Sequence, residues 1–266
     1  MTTHVLTYDE LKSSLVMLGV VQARLMPMFV LLPFMNRNMV PRVVAFSVAA
    51  GLGLLLLPVL PKSSDMQMDM LFVMLLVKEA FIGLLLGFAC ALPFWAMESV
   101  GFVIDNQRGA SMAASVNPLT GNDTSPMGIL LNYAFIAFFF VAGGFQLMLG
   151  MIYDSYKLWP PMSFLPQLDI ASANLLLMQL NRMVMTTLLL ASPILLVMFM
   201  AEIGLALISR FAPQLQVFFM AMPIKSALGL FVLVLYTNTL FDYGGQYIKE
   251  MPIWTQRLND ILGGGR

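Results

Sequence analysis

Apolar residues run along this chain in long unbroken blocks, and the polar residues that interrupt them gather at short, proline-marked joints. A helix rises about 1.5 Å per residue, so roughly 20 apolar residues cross the ~30 Å hydrocarbon layer of a membrane. Six segments approach that length, at about 11 to 34, 43 to 60, 70 to 95, 127 to 150, 183 to 208 and 216 to 240. Helix is the state expected of each, because an isolated strand leaves its backbone unsatisfied in lipid. The joint Asn36 to Arg42 is short, so the first two segments are expected to form an antiparallel hairpin. Pro61-Lys62-Ser63-Ser64-Asp65 carries the turn residues of a membrane boundary.

Two stretches are not simple spans. Glu98, Gly101, Asp105 and Arg108 recur at spacings of three and four, which places them on one helical face that should meet water or protein, not lipid. After them comes a run of small residues, Gly109, Ala110, Ser111, Met112, Ala113, Ala114, Ser115 and Val116, closed by Asn117-Pro118, Gly121-Asn122 and Ser125-Pro126. The second stretch, about 153 to 181, holds Tyr153, Tyr156 and Trp159-Pro160-Pro161, an aromatic content that suits a membrane interface. The whole chain, 1–266, reads as one helical domain with an amphipathic and loop region at about 96–126 and a C-terminal tail at about 242–266. Lys and Arg counted on alternate sides favour a cytoplasmic tail, and the long first apolar block with Asp9, Glu10 and Lys12 before it predicts a retained helix, not a cleaved leader.

Composition narrows the functional classes. Hydrophobic residues make up 59% of the chain and charged residues 11%, with 14 basic against 14 acidic, so no net field recruits nucleic acid. The polar sequence is too sparse to coat a soluble core of this size. The single cysteine, Cys90, excludes an internal disulfide and reads as packing; the single histidine, His4, leaves no zinc cluster. No nucleophile and base pair, phosphate loop or paired carboxylate appears, so neither an enzyme nor a cofactor is expected.

The charges left inside apolar blocks carry the remaining information, since each is costly there. Gly83 and Gly87 form a small-xxx-small pair that lets another helix approach, with Glu79 on the same face. Lys78 precedes Glu79, and adjacent helical residues point apart, so each is expected to need its own partner or an interface. If the last two blocks turn at Pro213, Glu202 and Lys225 lie at nearly equal depth and should approach one another or share a polar cluster. Arg24 marks either a partner-facing stripe or a place covered by protein. The 24 methionines are mostly gap-fillers, with Met112 suited to a deformable seal.

The order and spacing of these motifs resemble the FliR/SpaR/YscT family, the T component of the type III secretion export apparatus. The likeness is carried by Pro41-Arg42, Glu79 with Gly83 and Gly87, Glu98 and Gly101 before Gln107-Arg108-Gly109, Asn117-Pro118, Gly143-Gly144, Tyr153 to Tyr156 with Trp159-Pro160, and Glu202 to Pro213. Its most specific part is Pro213-Gln214-Leu215-Gln216-Val217-Phe218 followed by Pro223, Lys225, Ser226 and Gly229. Phe145-Gln146 stands where the flagellar branch would have a His-containing segment, which favours an injectisome-like member.

This resemblance implies an all-α fold of polytopic apolar hairpins that stack with partner subunits in a helical export-gate assembly. The implied function is a structural and gating subunit of the channel that passes unfolded proteins across the bacterial inner membrane. Its implied partners are the R and S components, the U-type export switch protein and the lipid itself. The loop Gly109 to Val116 corresponds to a plug, while Glu79, Glu98, Asp105, Arg108, Glu202, Arg210 and Lys225 become candidate buried charges or subunit contacts. A small-molecule or ion transporter is the alternative, with Glu202, Lys225 and the broken region at Pro118 near the midplane; no internal repeat supports it.

Overall fold

Every regular element in the computed structural model is helical over the described residues, 8–35, 39–58, 70–109, 125–161, 170–211 and 217–262. The elements are α1 (Tyr8–Leu31), a short 3-10 turn (Pro33–Met35), α2 (Arg42–Leu56), α3 (Met70–Arg108), α4 (Pro126–Val141), α5 (Gly144–Leu158), α6 (Ile170–Phe211) and α7 (Val217–Leu262). The six-segment expectation needs correction at both ends of the length scale. Four stretches are long and apolar enough to cross a membrane, Leu11–Leu31, Met70–Arg108, Leu176–Phe211 and Met220–Trp254. The second block yields only the 15-residue α2. The fourth is broken into α4 and α5 at Ala142-Gly143, where Gly143 adopts φ +76°, and the pair together supplies at most a fifth span. Conversely α3 runs on to Arg108 and α7 to Leu262, because the helix's backbone bonds form whatever the polarity of the side chains around them.

The chain divides into two compact units, each built from separate pieces. The first comprises Met1–Ala91, Gln146–Leu175 and Met251–Arg266. Here α1 packs on α3 through glycine: a Cβ on Gly83 would stand 2.0 Å from the carbonyl oxygen of Arg24, and one on Gly87 2.8 Å from the Cα of Met28. Such backbone-to-backbone approach is what the small pair provides where lipid tails are otherwise equal neighbours. α1 and α2 form the expected antiparallel hairpin, with Gly53 seated on Gln22. Val21, Leu25, Ile82, Leu86 and Ile152 fill the core, and Cys90 is buried with its sulfur 4.0 Å from that of Met151.

The second unit comprises Leu92–Phe145 and Leu176–Glu250. α3 and α4 meet at Gly101 and Gly128, whose backbones come so close that a Cβ on Gly101 would lie 2.4 Å from the Gly128 nitrogen. Phe94 packs edge-on against Phe135 and Phe139 at 5.1 Å each, the separation at which aromatic quadrupoles attract. α6 and α7 pair antiparallel, with Gly229 against Met198. These two residues stand equally far in sequence from Pro213-Gln214, as do Glu202 and Lys225.

Candidate functional site

The first unit buries an ionic node. Arg24, fully buried, donates from Nε to Glu79 Oε2 at 2.6 Å, from one terminal nitrogen to Ser155 Oγ at 3.0 Å and from the other to the Trp159 carbonyl at 2.8 Å. Its guanidinium lies 4.0 Å from the ring centre of Tyr156, whose hydroxyl donates to the Val21 carbonyl. Lys78 donates to the carbonyls of Pro160 and Pro161 at 3.3 and 2.9 Å. The expectation that Lys78 and Glu79 point apart is corrected: Lys78 Nζ also reaches Glu79 Oε1 at 2.8 Å, because its four-carbon stem can curl back where the backbone vectors diverge. That contact is a charge pairing without hydrogen-bond alignment, since Oε1 gains no hydrogen-bond partner. Tyr156 and Trp159, expected at an interface, are core residues here. Arg24 is covered by its own chain.

In the second unit the Glu98, Gly101, Asp105, Arg108 face of α3 meets α4. Asn132 donates to Glu98 at 3.0 Å. Asp105 accepts from Ser125 Oγ at 2.6 Å and from the Met127 N–H at 2.9 Å, and pairs with Arg108 at 2.7 Å. Ser125 in turn caps α4 by accepting from the Gly128 N–H at 2.9 Å, with Pro126 opening the helix. These charges serve contacts within the chain. Gly109 ends α3 with φ +84° and faces Met222 at 3.6 Å, while Ala110, Ser111, Met112, Ala113, Ala114, Ser115 and Val116 lie outside the described residues.

The α6 and α7 hairpin carries two ionic rungs. Lys225 donates to Glu202 at 3.2 Å; the lysine is nearly buried and the carboxylate half exposed. Near the other end Arg182 grips Glu250 with both terminal nitrogens, one at 3.0 Å, and lies over the ring of Tyr247, whose hydroxyl meets Thr186. Arg210 is exposed in the last turn of α6, where a cation complements the helix dipole, so neither it nor Glu202 is a buried charge within the chain. The pattern alone does not single out Arg182, Glu250 or Tyr247, though the cost of ionic groups beside apolar blocks is a signal for the first pair; Ser155 enters only as part of the Tyr153 to Tyr156 stretch. Among the described residues no group of three His, Cys, Asp or Glu side chains could hold a metal.

A family model of bacterial export proteins, family 1, matches residues 15–251. The chain is 40% identical over 225 residues to Yop proteins translocation protein T of Yersinia pestis, covering 84% of this chain and 86% of that one. It is 34% identical over 238 residues to the surface presentation of antigens protein SpaR of Shigella flexneri, covering 88% and 90%. To the flagellar biosynthetic protein FliR of Bacillus subtilis it is 26% identical over 219 residues, covering 82% and 85%. With a match over nearly its whole length and greater identity to the Yop translocation protein and to SpaR than to the flagellar protein, the chain belongs to the FliR/SpaR/YscT family of bacterial export proteins.

Proposed function

We propose that this chain is the T component of an injectisome-type secretion export gate, a structural and gating subunit of the channel that carries unfolded proteins across the bacterial inner membrane. Its partners in this reading are the R and S components, with the U-type export switch protein beside them. The observation that carries it, together with family membership, is how little of the hairpin the chain covers: 28% of the apolar window of α6 and 11% of that of α7 are buried. Helices so bare need neighbours along most of their length, and a stack of partner helices supplies them as well as lipid does.

The segment Gly109 to Val116 is the resting-state plug in this reading. Small residues allow close backbone packing and rearrangement, and Met112 adapts to an irregular lumen. Deleting Gly109 to Val116 is expected to leave the assembled complex in place but leaky to ions. An assembled deletion complex that stays tight overturns the plug.

A further inference from the structure

Asp105 lies where the chain leaves α3 and where it returns as α4. Its Oδ2 accepts from the Ser125 hydroxyl at 2.6 Å and from the Met127 N–H at 2.9 Å, while Oδ1 faces the Arg108 guanidinium at 2.7 Å. One carboxylate, with its side chain 5% exposed, therefore holds groups on both sides of residues 110–124. Capping alone asks for an acceptor at the buried Met127 N–H, not for the Ser125 and Arg108 contacts as well. Ser125 already satisfies the Gly128 N–H, and a serine cap with a following proline is enough to start a helix. Adding a buried carboxylate and its guanidinium costs desolvation that only close, multiple contacts offset. What the additional pair contributes is a tie between one helix's last turn and another's first, on the side where the Gly101 and Gly128 backbones touch.

We infer that Asp105 is a positioning residue that binds the outgoing and returning ends of the 110–124 segment into one base, with Arg108 orienting the carboxylate toward Ser125 and Met127. The helix dipole of α4 favours the same anion, so tie and cap reinforce each other. For its consequence in export the inference rests on the plug reading: a plug is held only as firmly as its stems.

The test uses the complex co-purified with its R and S partners. Asp105→Ala removes the acceptor of the Met127 N–H, and its amide exchange is expected to quicken about tenfold, the loss of one charge-assisted hydrogen bond. Asp105→Asn keeps an acceptor but no charge for Arg108 and is expected to fall between; it decides the matter should the alanine variant not assemble. The assembled variants are also expected to leak ions. Wild-type exchange at Met127 overturns the tie outright. Faster exchange with a tight channel, beside a leaky Gly109 to Val116 deletion, overturns the positioning role and leaves the plug standing. Faster exchange beside a tight deletion upholds the tie and removes the plug.

Discussion

Arg24 is the residue at which the energetics of this chain are most concentrated. Each nitrogen of its guanidinium donates once, to Glu79, Ser155 and the Trp159 carbonyl, and its face lies on Tyr156. Glu79→Gln keeps the shape but leaves two cations, Arg24 and Lys78, without a counter-charge in a buried site. Breaking such a pair costs about 3–5 kcal/mol, so the variant is expected to accumulate poorly and to melt well below the parent in the co-expressed complex. Lys157 and Asp154, an exposed pair on α5, provide the contrast: Lys157→Ala should leave the melting temperature unchanged. A second residue-scale prediction concerns Gly83. Its added Cβ would meet the Arg24 backbone at 2.0 Å, so Gly83→Ala forces α1 off α3 at an overpacking cost of about 1–3 kcal/mol, whereas Gly51→Ala, with open space around it, should be tolerated in the same melting assay. The sequence made Glu79, Gly83 and the expense of Arg24 legible. It did not join Arg24 to Glu79, because the partners lie 55 and 131 positions away and periodicity describes one helix at a time.

At the scale of elements, the α6 and α7 hairpin is held in register by a few contacts among many interchangeable ones. Leu, Phe and Met slide past one another at little cost where lipid is an equal neighbour, but an ionic rung has one best alignment. The Arg182 and Glu250 side chains are each about a third exposed, so their pairing contributes about 1 kcal/mol or less to stability; its larger effect is on alignment. Arg182→Glu sets two carboxylates against each other and is expected to reduce recovery of the assembled complex. Adding Glu250→Arg should restore most of it. A cysteine pair at Met198 and Gly229, which touch in the parent, reads the register directly: cross-linking should fall in the single variant and return in the double one. If both variants cross-link like the parent, the rung does not set alignment. Helical blocks were legible at this scale and their limits were not. Hydropathy counts side chains, while α3 and α7 continue through polar residues on backbone bonds, and the break between α4 and α5 turns on Gly143 adopting a conformation that L side chains rarely reach.

Across the whole molecule, most ionic groups within the apolar helices are answered inside their own unit: Arg24 and Lys78 by Glu79, Asp105 by Arg108, Lys225 by Glu202, Arg182 by Glu250. This changes what the chain asks of its neighbours. The sequence makes the buried charges candidates for subunit contacts; of those candidates the pairing leaves half-exposed Glu202 and exposed Arg210 uncovered, beside a broad apolar surface. Apolar surface is covered by lipid, detergent or protein alike, so covering it does not by itself choose a partner. Choice then has to come from shape, from the bare ridges of Leu196, Phe199, Ile203 and Leu207 on α6 and Phe231, Val234 and Leu235 on α7, because interhelical packing is what discriminates between protein and lipid in a membrane. A micelle covers these ridges without fixing them. Expressed alone, the chain is therefore expected to elute from size-exclusion chromatography in detergent as several species, and with the R and S components as one large complex of fixed composition. Bulk substitutions on the ridges, such as Phe231→Ala with Leu235→Ala, should shift the co-expressed protein back toward the mixture while Glu79 and its partners stay intact. A single sharp species formed by the lone chain, unchanged when R and S are supplied and able to carry a small solute, would make it a transporter and overturn the export reading.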